Sequence, residues 1–238
     1  MRFAFLFLVT LISSWRLSAQ IADEAQVSFS FNCYLVGSQA KGVTVTDDPD
    51  FRRDVTYYYY DEGVPRPIDL TPGIRSKQLR YRGPETFTLY EQRPQSKPDE
   101  EIQYLPVASI KISPGQKQVM FVLIKSGASS DGLIMLPFDL DLDAIKPGYA
   151  YMFNLSHSPL ICSVGSDKFK LTPLSGRSVG LSEVGKDFQL NIQCATREAD
   201  EWELVYSGSQ TVKKKKRYLF LLSPIGTYDR FRLIRFKL

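Results

Sequence analysis

Catalytic raw material is scarce in this 238-residue chain, which has one histidine, three cysteines and two tryptophans. A lone histidine, His157, excludes a metal centre built from several imidazoles. It leaves one base for a nucleophilic triad, and no Gly-x-Ser-x-Gly elbow accompanies it. Cys33, Cys162 and Cys194 form no Cys-x-x-Cys pair and no zinc-like spacing, so a structural zinc is not expected. No motif asks for a cofactor. Long apolar runs are missing too. The longest, Phe3 to Ile12, falls short of the roughly 20 residues of a membrane-spanning helix, so no transmembrane span is expected. No segment sustains a 3.6-residue apolar period, which argues against long amphipathic helices.

An excess of one charge is also lacking. Thirty basic residues face 26 acidic ones, and two of the basic ones, Arg2 and Arg16, sit at the extreme N-terminus. What remains is nearly balanced and gives no general pull on nucleic acid. The one dense basic run, Lys213-Lys214-Lys215-Lys216-Arg217, stands just before the apolar segment Tyr218 to Leu222. It reads as a solvated turn that discourages aggregation of that segment. The other reading is a patch for an anionic surface.

What is present begins with an export signal. Arg2 supplies a basic start, Phe3 to Ile12 an apolar core and Ser18-Ala19 a small-residue cleavage site. Residues 1–19 are therefore expected to be a signal peptide, with the mature protein periplasmic or extracellular.

The rest of the chain repeats itself. Leu70-Thr71-Pro72 recurs as Leu171-Thr172-Pro173, and Phe87-x-Leu89 as Phe188-x-Leu190. Val119 to Leu123 recurs as Tyr218 to Leu222, and Leu133 to Leu140 as Phe231 to Leu238. The matches keep their order with little drift in spacing, the mark of tandem duplication. Copy 1 is placed at 20–142 and copy 2 at 143–238, joined at Asp143 to Gly148. Matching Phe31-Asn32 to Phe153-Asn154 leaves copy 1 with about twenty extra residues before Leu70, long against a normal connection and the kind of insertion where binding loops sit, a plain surface excursion being the other reading. That insertion takes in Lys41 to Arg53 with Asp47, Asp48 and Asp50.

Nearly every patterned segment alternates with period two, and Gly and Pro mark the joints. Roughly seven short strands per copy predict an all-β protein of two tandem Ig-like antiparallel β-sandwich domains. The same parity points all three thiols inward. Cys162 and Cys194 share a copy and are the candidate disulfide; buried free thiols are the equal alternative.

Few residues stand out as ligand contacts. Tyr57-Tyr58-Tyr59-Tyr60 is the most unusual run. A strand sends two of these rings to each face, so one pair packs inward and the other can form an aromatic platform for a sugar or a protein. Asp139, Asp141 and Asp143 share a face if extended and could gather a hard cation, although the EF-hand pattern fails at Ala144. Asn154-Leu155-Ser156 is a formal glycosylation sequon.

The stretch from Tyr151-Met152-Phe153-Asn154 through Leu171-Thr172-Pro173 to Arg217-Tyr218-Leu219-Phe220-Leu221-Leu222-Ser223-Pro224 resembles secreted bacterial tandem β-sandwich domains of unknown function. That resemblance implies an envelope setting and supplies no active site. Phe153-Asn154-Leu155 is more faintly similar to a segment of periplasmic pilus chaperones, but Ser156-His157-Ser158-Pro159 replaces their continuation. The expectation is an exported, non-enzymatic structural or interaction module that recognises a protein or polysaccharide of the cell envelope through loops and sheet edges. A carbohydrate-binding accessory protein is the first alternative, a chaperone-like protein the second and a carboxylate hydrolase the third.

Overall fold

The computed structural model describes residues 26–37, 54–93, 95, 101–125, 132–181, 188–198, 201–225 and 230–238. Residues 1–19, expected to be a signal peptide, and the acidic insertion residues Asp47, Asp48 and Asp50 lie outside them. The described residues form sixteen strands and no helix. The first eight are β1 (Gln26–Leu35), β2 (Val55–Asp61), β3 (Val64–Leu70), β4 (Leu79–Pro84), β5 (Thr86–Gln92), β6 (Tyr104–Lys111), β7 (Gln118–Lys125) and β8 (Leu133–Asp139). The second eight are β9 (Tyr149–Asn154), β10 (Leu160–Val164), β11 (Asp167–Leu171), β12 (Gly176–Gly180), β13 (Gln189–Glu198), β14 (Glu201–Thr211), β15 (Tyr218–Ile225) and β16 (Arg230–Lys237).

Each set of eight makes two four-stranded sheets. The first set is ordered β4-β1-β7-β8 and β3-β2-β5-β6. The second is ordered β12-β9-β15-β16 and β11-β10-β13-β14, strand for strand the same plan. The irregularities repeat as well. All pairings are antiparallel except β1 with β7 and β9 with β15, which run parallel in both sandwiches. The β5–β6 and β13–β14 hairpins each carry a bulge, at Val107 and at Val205.

The register corrects two of the sequence matches. Leu35 lies opposite Leu123 and Asn154 opposite Leu222, so Asn154 corresponds to Leu35 rather than to Asn32. Phe87 is fully buried within β5, whereas Phe188 is exposed at a left-handed φ of 57° ahead of β13. Local residue likeness outweighed side-chain parity in both matches.

Three cores hold the sheets together. Phe29, Phe31, Tyr57, Phe87, Phe121 and their neighbours fill the first sandwich. Met152, Cys162, Leu190, Cys194, Phe220 and theirs fill the second. The third lies between sandwiches, where the outward faces of the β1 and β9 sheets meet through Tyr34, Val122, Phe138, Leu219, Leu221 and Phe236. This explains the unbroken apolar runs. Val119 to Leu123 and Tyr218 to Leu222 are buried at every position because their sheets are covered on both faces. The described residues thus form a stack of four sheets, with the β2 and β10 sheets outermost.

The contact between sandwiches is reciprocal. The Tyr34 ring is 4.9 Å from Phe236, and Phe138 is 4.9 Å from Phe153. By the strand register Tyr34 corresponds to Phe153 and Phe138 to Phe236, so residue i meets j and j meets i. That is the pattern of a two-fold interface, here within one chain. Arg217 pins the connection by donating to the Leu140 carbonyl at 2.8 Å, and Arg232 donates to the Gly37 carbonyl.

Candidate functional site

Alternation along β2 divides the four tyrosines. Tyr57 and Tyr59 point inward and are 2% and 4% exposed. Tyr59 meets Phe31 edge-on at 5.1 Å and donates its hydroxyl to the Arg80 carbonyl at 3.0 Å. Burial, with the Glu91 charge adding to it, pushes the Tyr57 phenol up to about 12. These two residues are core and bind nothing from outside.

Tyr58 and Tyr60 point to the outer face, half-buried. Two tyrosines that the sequence reading did not single out join them there. Tyr90 lies directly opposite Tyr58 on β5, and the bulge re-aims the start of β6 so that Tyr104 closes the group. Ring centroids are 4.8 Å apart for Tyr58–Tyr104, 5.0 Å for Tyr60–Tyr90 and 6.1 Å for Tyr60–Tyr104. The Tyr58 hydroxyl donates to Gln92 Oε1 at 2.8 Å. A groove of about 360 Å³ runs beside the cluster, lined by Val55, Thr56, Tyr58, Glu91, Gln92 and Arg93. An aromatic surface flanked by an amide, a carboxylate, a guanidinium and a hydroxyl can stack an apolar ring face and hydrogen-bond its polar rim. Tyr90 follows from the parity of Phe87 and Leu89; Tyr104 does not, because the bulge breaks the alternation that would place it.

The other candidates resolve differently. Cys162 sits directly opposite Cys194, fully buried, and both are free thiols. A hydrogen bond with Cys162, together with burial, pushes the Cys194 thiol well above its ordinary value. Cys33 is buried alone in the first core, and burial raises its thiol too. Asp139 and Asp141 serve their own turn. Asp139 Oδ1 accepts the Asp141 N–H at 2.9 Å, and Asp141 Oδ2 accepts the Lys117 N–H at 3.0 Å. Among the described residues no three His, Cys, Asp or Glu side chains converge as a metal site. The sequon asparagine is unavailable in the folded chain. Asn154 is fully buried, donates to the Ser158 carbonyl at 2.8 Å and accepts from the Ser156 N–H and hydroxyl. His157 and Lys213 to Lys216 are exposed in turns.

No protein-family model matches the chain, and no curated protein is significantly similar to it.

Proposed function

We propose that this protein is an exported, non-enzymatic recognition module of the cell envelope whose ligand is a polysaccharide. The observation that carries this reading is the outer face of the β2 sheet, where Tyr58, Tyr60, Tyr90 and Tyr104 gather beside a groove with polar walls. Sugar rings present apolar faces that stack on aromatic side chains and hydroxyls that pair with amide and charged groups.

Recognition through the sheet face is favoured over recognition through sheet edges. Every edge strand of the first sandwich carries proline: Pro65 and Pro67 in β3, Pro84 in β4, Pro106 in β6 and Pro137 in β8. Proline has no N–H to offer an added strand. A protein partner docking by β-augmentation therefore meets an interrupted ladder on this half.

The test is co-sedimentation of the mature protein with insoluble cellulose, chitin and peptidoglycan. Wild type is expected to be retained on at least one. Tyr58→Ala with Tyr104→Ala should lower the affinity by about tenfold or more, equivalent to roughly 1.4 kcal/mol, with an unchanged melting temperature. Retention unaffected by that double substitution would reject the face as the site.

A further inference from the structure

The second sandwich presents a face at the same place, built from different residues. The row Tyr58–Tyr90–Pro106 crosses β2, β5 and β6 beside the first bulge. The row Ile161–Ala195–Leu204 crosses β10, β13 and β14 beside the second. Two positions before Pro106 stands Tyr104; two before Leu204 stands Trp202. Trp202 and Leu204 of β14 are each 58% exposed and Ile161 of β10 is 39% exposed, a large apolar surface to leave in water on either side of Ala195. Directly alongside, the next row across the sheet is Ser163–Gln193–Ser207. It borders a groove of about 320 Å³ lined by Ser163, Gly165, Asn191, Gln193, Ser207 and Gly208. That lining holds hydroxyls and amides and no charge.

We infer that this face is a second polysaccharide site, with Trp202 as its stacking platform and Asn191, Gln193, Ser163 and Ser207 as its hydrogen-bonding floor. The inference rests on the carbohydrate reading of the tyrosine face and extends it. A neutral groove of amides and hydroxyls matches a ligand that is itself a dense array of neutral hydroxyls. Trp202 stands further along the same face, beyond Leu204, where its indole matches the apolar face of another pyranose ring of the same polysaccharide chain.

Placement adds a consequence. The β2 and β10 sheets are the outer layers of a four-sheet stack, so the two faces look away from each other across three sheet spacings of about 10 Å each. A chain with one site on each outer face joins two polysaccharide strands rather than decorating one. The stacking residue differs between the faces, tyrosine on one and tryptophan on the other, so the two strands need not be the same polymer.

The experiment uses the mature chain and two readouts on the polysaccharide that retains it. One is the number of binding sites per protein. The other is bridging, measured as protein-dependent capture of a fluorescent soluble fragment of that polymer onto the insoluble form. Wild type is expected to bridge. Trp202→Ala and Tyr58→Ala with Tyr104→Ala should each abolish bridging while leaving one class of site, and the triple variant should bind nothing. Bridging and site number unchanged in Trp202→Ala would overturn this inference and leave the tyrosine reading standing. Loss in Trp202→Ala with full binding in the tyrosine variant would overturn the tyrosine reading instead and support a site at Trp202. A wild type retained by no polysaccharide would overturn both. Trp202 is exposed, so its removal should not move the melting temperature, and that measurement separates lost binding from lost fold.

Discussion

The two sandwiches agree where they touch each other and differ where they meet the outside. Tyr34 and Phe153, Val122 and Leu221, and Phe138 and Phe236 are equivalent pairs, and all six pack in the shared core. A reciprocal interface constrains each position twice, once as the side chain that inserts and once as the surface that receives it. The outer faces carry no such constraint. Tyr104 stands at the place of Trp202, and the proline-studded edges of the first sandwich have no counterpart in β11, β12, β14 or β16. Divergence of the outer surfaces around a shared contact is what separate ligand sites on a common frame would require.

The comparison is broken most forcefully at the interface. Phe138→Ala and Phe236→Ala each remove a buried ring from the shared core. Each should cost about 3–5 kcal/mol in urea denaturation. Reciprocity demands that the two losses agree to within about 1 kcal/mol, allowing for differences in local relaxation. One large loss beside a negligible one would show that the two sides do not carry equal weight. The same core bears on separation of the halves. Fragments 20–142 and 143–238 would each expose an apolar sheet face, so they are expected to associate when mixed rather than to persist as independent monomers.

A smaller difference lies in the thiols. The second sandwich opposes Cys162 to Cys194 across β10 and β13, while the first has Cys33 alone. Directly opposite residues of antiparallel strands have Cα atoms about 4.5–5.5 Å apart, within the span a disulfide bridges. Refolding under an oxidised glutathione couple should close the bridge, with loss of two hydrogens in the intact mass. The bridge should raise stability by about 3–4 kcal/mol in the chain-entropy model. Cys33→Ala should leave that gain intact. A refolded protein that keeps all three thiols, or gains nothing from the bridge, would count against the pairing.

Much of this was readable from residues alone. Period-two alternation located most of the strands but not β3 or β12, which are short and rich in Pro, Gly or charge, and parity split the four tyrosines of β2 into an inward and an outward pair without naming which. Three further things were not readable. The apolar runs Val119 to Leu123 and Tyr218 to Leu222 break alternation because a second sheet covers them, and nothing local names that sheet. Tyr104 and Trp202 reach their faces only through bulges, which shift parity without a strong sequence mark. The match of Asn32 to Asn154 failed because two short Phe-Asn pairs are alike as letters while their rings point to opposite sides of the sheet.

The finest distinction between the copies is a single turn. After the repeated Thr-Pro, copy 1 places Gly73 at φ 81° and copy 2 places Leu174 at φ 49°. The left-handed region costs a residue with a Cβ roughly 1–2 kcal/mol. Glycine escapes that cost but gives part of it back through the greater freedom of its unfolded chain, about 0.4–1 kcal/mol. Leu174→Gly should therefore stabilise the protein by about 0.5 kcal/mol, the difference of those two effects. Gly73→Leu should destabilise it by a similar amount or more. Leu174 is 39% exposed, so little packing is lost with the side chain. Chemical denaturation of the two variants against wild type reads both signs. A loss of stability in Leu174→Gly would mean that the leucine side chain anchors this turn to its sandwich, and that the two copies solve the same turn by different physics.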